Sequence, residues 1–375
     1  MKKNILIICI TVTIILIIIG MGILAYNFIS LNEKKPIEAN SNIQEVNNQT
    51  NTSEPENNEE ISNNNQALTQ IDENIINEEP TTRPTTTASY YYNQLDEYGK
   101  IIYNKLKQNK NELKTGKYVF DFGTTFNTLL HSENGEEKLN TAFQSAWNGF
   151  SYDQNDLFYV DINKMSLIKE NRTLGGITTY YVSIGPGNNT DYLEENFKTQ
   201  EEVQKAQQHI ENIIRQIKEQ TKENTDVQKI KKVHDWLVSV IEYDKTEENL
   251  NKYSIYGALH DKKAVCEGYA RSFKYIMEEI GVPCVLVAGT AQNSEGTTEV
   301  HAWNYVQIEQ NWYAIDITWD DPIVIGNAQL TEQQRYKYFL KGSEEFFKNH
   351  TENGVLSENS MKFTFPTLAK NNYNM

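Results

Sequence analysis

Cysteine is scarce in this chain of 375 residues: there are three, and one of them, Cys9, lies in an apolar run, which leaves Cys266 and Cys284 for a folded body. Two thiols cannot make a disulfide framework, so a core here must rest on apolar burial. A Cys266–Cys284 bridge is the weaker reading, because Cys284 sits in the run VPCVLVAG and suits a small core side chain. Basic clusters are also lacking. The chain has 35 Lys and Arg against 51 Asp and Glu, a net charge of −16, which argues against nucleic acid as a partner. No Gly-rich phosphate loop occurs, and His260 and His350 have no partner at metal-ligand spacing, so neither cofactor nor metal is expected.

Aromatic residues are missing between Phe28 and Tyr90, and the stretch from Glu33 to Arg83 carries eleven acidic and three basic residues, a balance of −8. Such a segment cannot bury enough apolar surface to offset its ordering entropy, so residues 27–88 are expected to form a disordered acidic linker. Before it, Ile5 to Tyr26 holds 22 positions without a charge, and a helix crosses a bilayer with about 20. A cleaved signal would have a shorter apolar run, roughly 7 to 15 residues, and an A-x-A-like site. An uncleaved single-pass anchor over 5–26 is therefore the expectation. Lys2 and Lys3 precede it and Lys34 and Lys35 follow it, so the charge rule is divided. The long hydrophilic remainder suits a short cytoplasmic tail, 1–4, and an extracytoplasmic body at the cell membrane.

Residues 89–195 are expected to form a small α+β unit. A helical stripe at Leu95, Tyr98, Ile102 and Leu106 leads to strands near 117–122, 156–162 and 176–184. Residues 196–375 form the second unit. Thr199 and Glu202 make a capping box for a helix lined by Val203, Ala206, Ile210, Ile213 and Ile217, and a second helix is expected after Asp226 as its cap. A third begins at Cys266, with Ala270, Phe273, Met277 and Ile280 on one face, and stops at Gly281 and Pro283. Strands follow at 284–288, 300–308 and 312–318, the last two as a hairpin turning at Gln310 and Asn311.

Three residues in this half have the types that thiol chemistry requires: Cys266, His301 and Asp316. A helix start favours thiolate through its unpaired N–H groups, and the same groups can hold an oxyanion. A histidine takes and returns the proton, and an aspartate orients the ring. Taken singly, each has a bland reading: a core thiol, a polar strand residue, a turn acid. Their joint occurrence favours chemistry. One geometric obstacle stands: with a two-residue turn at Gln310 and Asn311, Asp316 pairs with Tyr305, about 13 Å along the strand from His301. His234, one residue off the apolar stripe of its helix, is read as structural, and Trp303, Trp312 and Trp319 as core.

The runs AVCEGYARSF at 264–273, HAWNYV at 301–306 and WYAIDITWDDP at 312–322 resemble the catalytic core of the transglutaminase-like superfamily, particularly its bacterial and kyphoscoliosis-peptidase-like branch. VHDWLVSVIEYD at 233–244 and Tyr256 to Leu259 fit its upstream helix and loop. The resemblance implies an α+β, papain-like fold with the cysteine helix packed on an antiparallel sheet, and a Cys266–His301–Asp316 triad. It implies a second oxyanion donor from a side chain upstream of the cysteine, with Tyr243, Tyr256 and Trp236 all open. It also implies Tyr338–Leu340 as a further strand. The function that follows is a cysteine enzyme acting on an amide of a protein or cell-wall peptide through a thioester, with water or an amine as acceptor. The alternative is a surface module that keeps the fold to bind peptide or glycan without turnover.

Overall fold

The computed structural model describes residues 89–321 and 331–374. The expected tail, anchor and linker, residues 1–88, lie outside the described residues, among which no helix is long and apolar enough to cross a membrane.

The first half is helix on sheet. Asp96 caps helix Glu97–Gln108 by accepting the Gly99 N–H, and Ile102, Tyr103 and Leu106 bury its inner face as the spacing predicts. They pack on helix Gly135–Asp153, which the sequence reading does not anticipate although Leu139, Ala142, Phe143, Ala146, Trp147 and Phe150 follow helical spacing. Strands β1 (Phe120–Gly123), β2 (Ser166–Leu174) and β3 (Ile177–Gly185) form an antiparallel sheet in the order β1-β3-β2. The β2–β3 turn uses Gly175 and Gly176, both at positive φ. No strand forms over 156–162. Leu157 and Val160 donate to carbonyls three residues back, which curls the segment into turns ending in one bridge, Val160 to Leu193.

In the second half, Thr199 and Glu202 form the expected capping box on helix Gln200–Thr221. The next helix, Asp226–Val240, is capped by Thr225 rather than Asp226: the Thr225 hydroxyl accepts from Gln228 N–H, and the Gln228 side chain returns to the Thr225 N–H. Short strands β4 (Glu242–Tyr243) and β5 (Lys263–Ala264) run parallel beside the cysteine helix, Cys266–Glu279. That helix is embedded, with Ala270, Phe273 and Met277 buried on the predicted face and an ion pair, Lys274 to Glu278 at 2.5 Å, buried on another. Gly281 ends it at φ 80°, with the Val282 N–H returning to Met277 O.

The larger sheet of this half is antiparallel in the order β8-β7-β6-β9, built from β6 (Cys284–Gln292), β7 (Thr298–Ile308), β8 (Asn311–Ile315) and β9 (His350–Glu352). Two expectations change here. Tyr338–Leu340 is no strand, since Leu340 has a positive φ and only Lys341 bridges to Ala314; the fourth strand is β9. The β7–β8 turn is Glu309–Gln310, with Ile308 opposite Asn311 and Glu309 at φ 57°. The two halves share one apolar core: the Tyr91 and Phe363 rings meet edge-on at 5.1 Å, and the Tyr91 hydroxyl donates to Leu286 O in β6.

At Gly289 the centre of this sheet has no room for a side chain. A Cβ there would lie 2.1 Å from Thr351 O and 2.5 Å from the Trp303 ring. Gly289→Ala should therefore lower unfolding free energy by about 3 kcal/mol, the upper range for overpacking. A urea midpoint equal to wild type would contradict this close approach.

Candidate active site

Three elements converge on one point. The cysteine helix offers Cys266 at its first position, half-buried, with Val265 as an N-cap that supplies no side-chain bond. The first-turn N–H groups are thus free of a competing cap. Strand β7 places His301 opposite Gly289, with 4% of its surface exposed. Strand β8 stops at Ile315, and Asp316 leaves the sheet to cap the short helix Ile317–Asp320, where its Oδ1 accepts the Trp319 N–H at 3.2 Å.

That departure resolves the 13 Å obstacle. The earlier turn moves the position opposite Asp316 from Tyr305 to Trp303, two residues nearer His301, and the cap conformation swings the carboxylate further. Asp316 Oδ2 accepts from His301 Nε2 at 2.8 Å. The Cys266 side chain hydrogen-bonds His301 as well. All three predicted residues therefore meet, although Asp316 lies beyond the strand expected to hold it.

Burial works against a charged His301, yet Asp316 and Cys266 beside it outweigh that and raise its pKa to about 10 from 6.5. Burial alone would raise Asp316 as well; the His301 charge and hydrogen bonds from His301 and His350 instead hold it well below the usual carboxylate range. Cys284 is buried, its thiol pushed up to about 12 chiefly by burial. It packs as a core side chain, as expected, and neither it nor Cys266 forms a disulfide.

The motif residues around the three have structural tasks. Asn304 Nδ2 donates to Ala270 O at 2.9 Å and ties β7 to the cysteine helix. Tyr269 donates to Ile241 O or Asp321 Oδ2, at 3.0 and 2.7 Å. A Cβ on Gly268 would lie 2.4 Å from Lys252 O. His234 is structural, as read: fully buried, it bridges Asp235 Oδ1 at 3.0 Å and Asp320 Oδ2 at 3.2 Å, while Asp320 Oδ1 accepts the Tyr338 N–H. Of the three upstream side chains left open, Tyr243 is close enough to the thiol to sense it: after burial, Cys266 is the strongest influence raising its pKa. Tyr256 instead stacks on His260 and Phe158, and Trp236 lies under Lys262.

His350 was missed. Its Nε2 lies 3.2 Å from Asp316 Oδ2, across 34 residues of sequence, and no spacing rule could pair them before β9 was known to lie beside β6. Among the described residues His301, Asp316 and His350 are the one grouping with ligand atoms close enough to share a metal, within 4.8 Å. The Trp303, Trp319 and Phe346 rings pack against its imidazoles, and the carboxylate already accepts from both. It reads as a hydrogen-bonded set.

Beside the cysteine helix lies a cavity of about 410 Å³ whose lining includes Tyr152, Asn155, Tyr253, Glu267 and Arg271. Arg271 links the halves there: it pairs with Glu267 at 2.8 Å, donates to Ser151 O at 2.9 Å and lies over the Tyr152 ring at 4.8 Å.

Residues 211–317 match the family model of the transglutaminase-like superfamily core. Over this segment the chain is similar to that superfamily's core domain. Kyphoscoliosis peptidase from Mus musculus and from Homo sapiens are each 29% identical over 139 residues, covering 34% of this chain. The match spans 21% of those relatives' length. Among solved structures, a TGase covers 50% of this chain and 52% of its own at 18% identity and a TM-score of 0.27. The periplasmic domain of TgpA from Pseudomonas aeruginosa covers 42% and 63% at 13% identity and a TM-score of 0.24.

The two shifts have opposite signs in pH. His301 binds its proton more tightly when folded, so its contribution to stability is complete below 6.5 and is lost as pH rises through about 10. Asp316 is depressed, so its contribution is complete above 3.8 and fails on acidification. The stability difference between wild type and Asp316→Asn should thus be largest between 3.8 and 6.5 and shrink towards pH 10. Urea unfolding across that range checks it; a gap unchanged from 6.5 to 10 would rule out the pairing.

Proposed function

We propose that the chain is a cysteine enzyme that opens an amide of a protein or peptide through a thioester on Cys266. The observation that carries this reading is His301 held between Asp316 and the Cys266 thiol. The Cys266 sulfur attacks the amide carbon and forms the C–S bond, with the proton on His301. As the C–N bond breaks, His301 gives that proton to the departing amine, and Asp316 holds the ring in line throughout. Water or an amine then attacks the thioester carbon, His301 accepts its proton, and the thiolate leaves. Backbone N–H groups of the cysteine helix's first turn are positioned for the oxyanion, and Tyr243 is the side chain best placed to add a second donor.

The cavity bordered by Tyr152, Glu267 and Arg271 adjoins the thiol's helix and suits the entry of a peptide chain. The name of the curated relatives, peptidase, favours water as acceptor. The apolar run from Ile5 to Tyr26 and the acidic stretch after it support a body tethered outside the cytoplasm at the cell membrane, within reach of cell-wall peptide.

The full chain should release ammonia from a glutamine peptide. A labelled primary amine joined to the peptide instead would identify transfer. Cys266→Ser should abolish both, and Asp316→Asn should lower kcat by about 10⁴-fold, the effect of misorienting such a histidine. Tyr243→Phe should cost about 10²-fold in kcat, the lower range for one oxyanion donor. A Cys266 that reacts with iodoacetamide no faster than a model thiol, or no slower after His301→Ala, would leave only a binding module.

A further inference from the structure

The three reacting residues leave His350 without a task, yet it is as sealed as His301 and Asp316, with 1% of its surface exposed. Pairing of β9 with β6, Ala291 opposite His350, brings it to the site. The ring stacks on Phe346 at 4.0 Å and meets the Trp303 and Trp319 rings at 5.0 and 4.8 Å. Its Nε2 reaches the same Asp316 oxygen that His301 holds, at 3.2 Å against 2.8 Å. A buried carboxylate oxygen faced by two imidazoles is satisfied only by donors, so His350 Nε2 carries hydrogen.

We propose that His350 is a positioning residue of the thiol site, donating Nε2–H to Asp316 Oδ2 and so fixing the carboxylate that orients His301 towards Cys266. The inference rests on the thiol-enzyme reading above. Asp316 Oδ1 accepts the Trp319 N–H at 3.2 Å. A second imidazole on Oδ2 adds a donor from another direction and so restrains rocking of the carboxylate about its Cβ–Cγ bond.

The far side of the ring agrees. Asn349 Oδ1 lies 2.9 Å from His350 Nδ1, and Asn349 Nδ2 lies 2.9 Å from the Tyr338 hydroxyl. If His350 is neutral with its hydrogen on Nε2, Nδ1 accepts. Turning the Asn349 amide over lets its nitrogen donate to Nδ1 and its oxygen accept from Tyr338, while the Phe346 carbonyl, which also reaches the His350 ring, keeps the Asn349 N–H. The titratable groups facing His350 are Asp316 and His301; Tyr338 packs against the ring, and Asp320 lies beyond Asp316. Burial lowers the His350 pKa, so the positive charge belongs to His301 and His350 serves as a neutral donor.

The test compares the full chain with His350→Phe, which keeps an aromatic ring for the stack, and His350→Gln, whose amide nitrogen can reach towards Asp316. Iodoacetamide labelling of Cys266 is followed across pH by mass spectrometry, which separates it from Cys9 and Cys284, and unfolding midpoints report the fold. In His350→Phe the acid limb of the labelling profile should move up by about one pH unit, slowing labelling about tenfold below it. His350→Gln should stay within about threefold of wild type, since it restores the donor to the network. A wild-type thiol no more reactive than a model thiol would overturn the thiol-enzyme reading. A reactive wild type whose profile is unchanged in His350→Phe, or a His350→Gln as impaired as His350→Phe, would overturn the His350 assignment alone.

Discussion

The rest of the site depends on one buried carboxylate. Asp316 has no exposed surface, and a carboxylate taken out of water without partners is far too costly to keep its charge. Its charge survives because donors surround it: His301 and His350 on one oxygen and the Trp319 N–H on the other. Each comes from a different element, and each element must be in place for the others to gain from it. The β7–β8 turn sets where the chain leaves the sheet, the short helix gives the Trp319 N–H of its first turn, and β9 closes the far side.

A second buried histidine underpins the first arrangement from below. His234 joins Asp235 to Asp320, and Asp320 accepts the Tyr338 N–H. The Asp316 N–H in turn donates to Tyr338 O. The loop bearing Asp316 is thus braced at both ends by groups that never meet a substrate. Burial raises Asp320 to about 6 despite His234, so this brace is weaker as an ion pair than the one above it. The precision of the site comes from the succession of the two.

The second half of the chain was legible to the extent that local chemistry decides its structure. The Thr199 box, the cysteine helix and its glycine stop depend on neighbours three or four residues away, and they formed as spacing implied. So did the hairpin, shifted by one residue, because Glu309 accepted a left-handed conformation that its residue type gives little reason to expect. The 156–162 strand failed because apolar side chains there are buried by turns instead of a ladder. Cys266 and His301 were found from their settings, whereas Asp316 needed the family motif. His350 and Tyr243 depend on sheet closure between segments far apart, a relation that no sequence window contains.

The edge contact of Tyr91 with Phe363 joins two residues near opposite ends of the described body. A chain emerging from the ribosome cannot make it until Phe363 is out. The same holds for β9, which enters the sheet last. Local helices can form early, but the embedded cysteine helix stays uncovered until its distant partners arrive, as expected of a high-contact-order fold. A nascent chain therefore carries Cys266 with no assembled histidine–carboxylate pair behind it. The three residues can meet fully only once β9 has emerged, a timing written into the order of the strands.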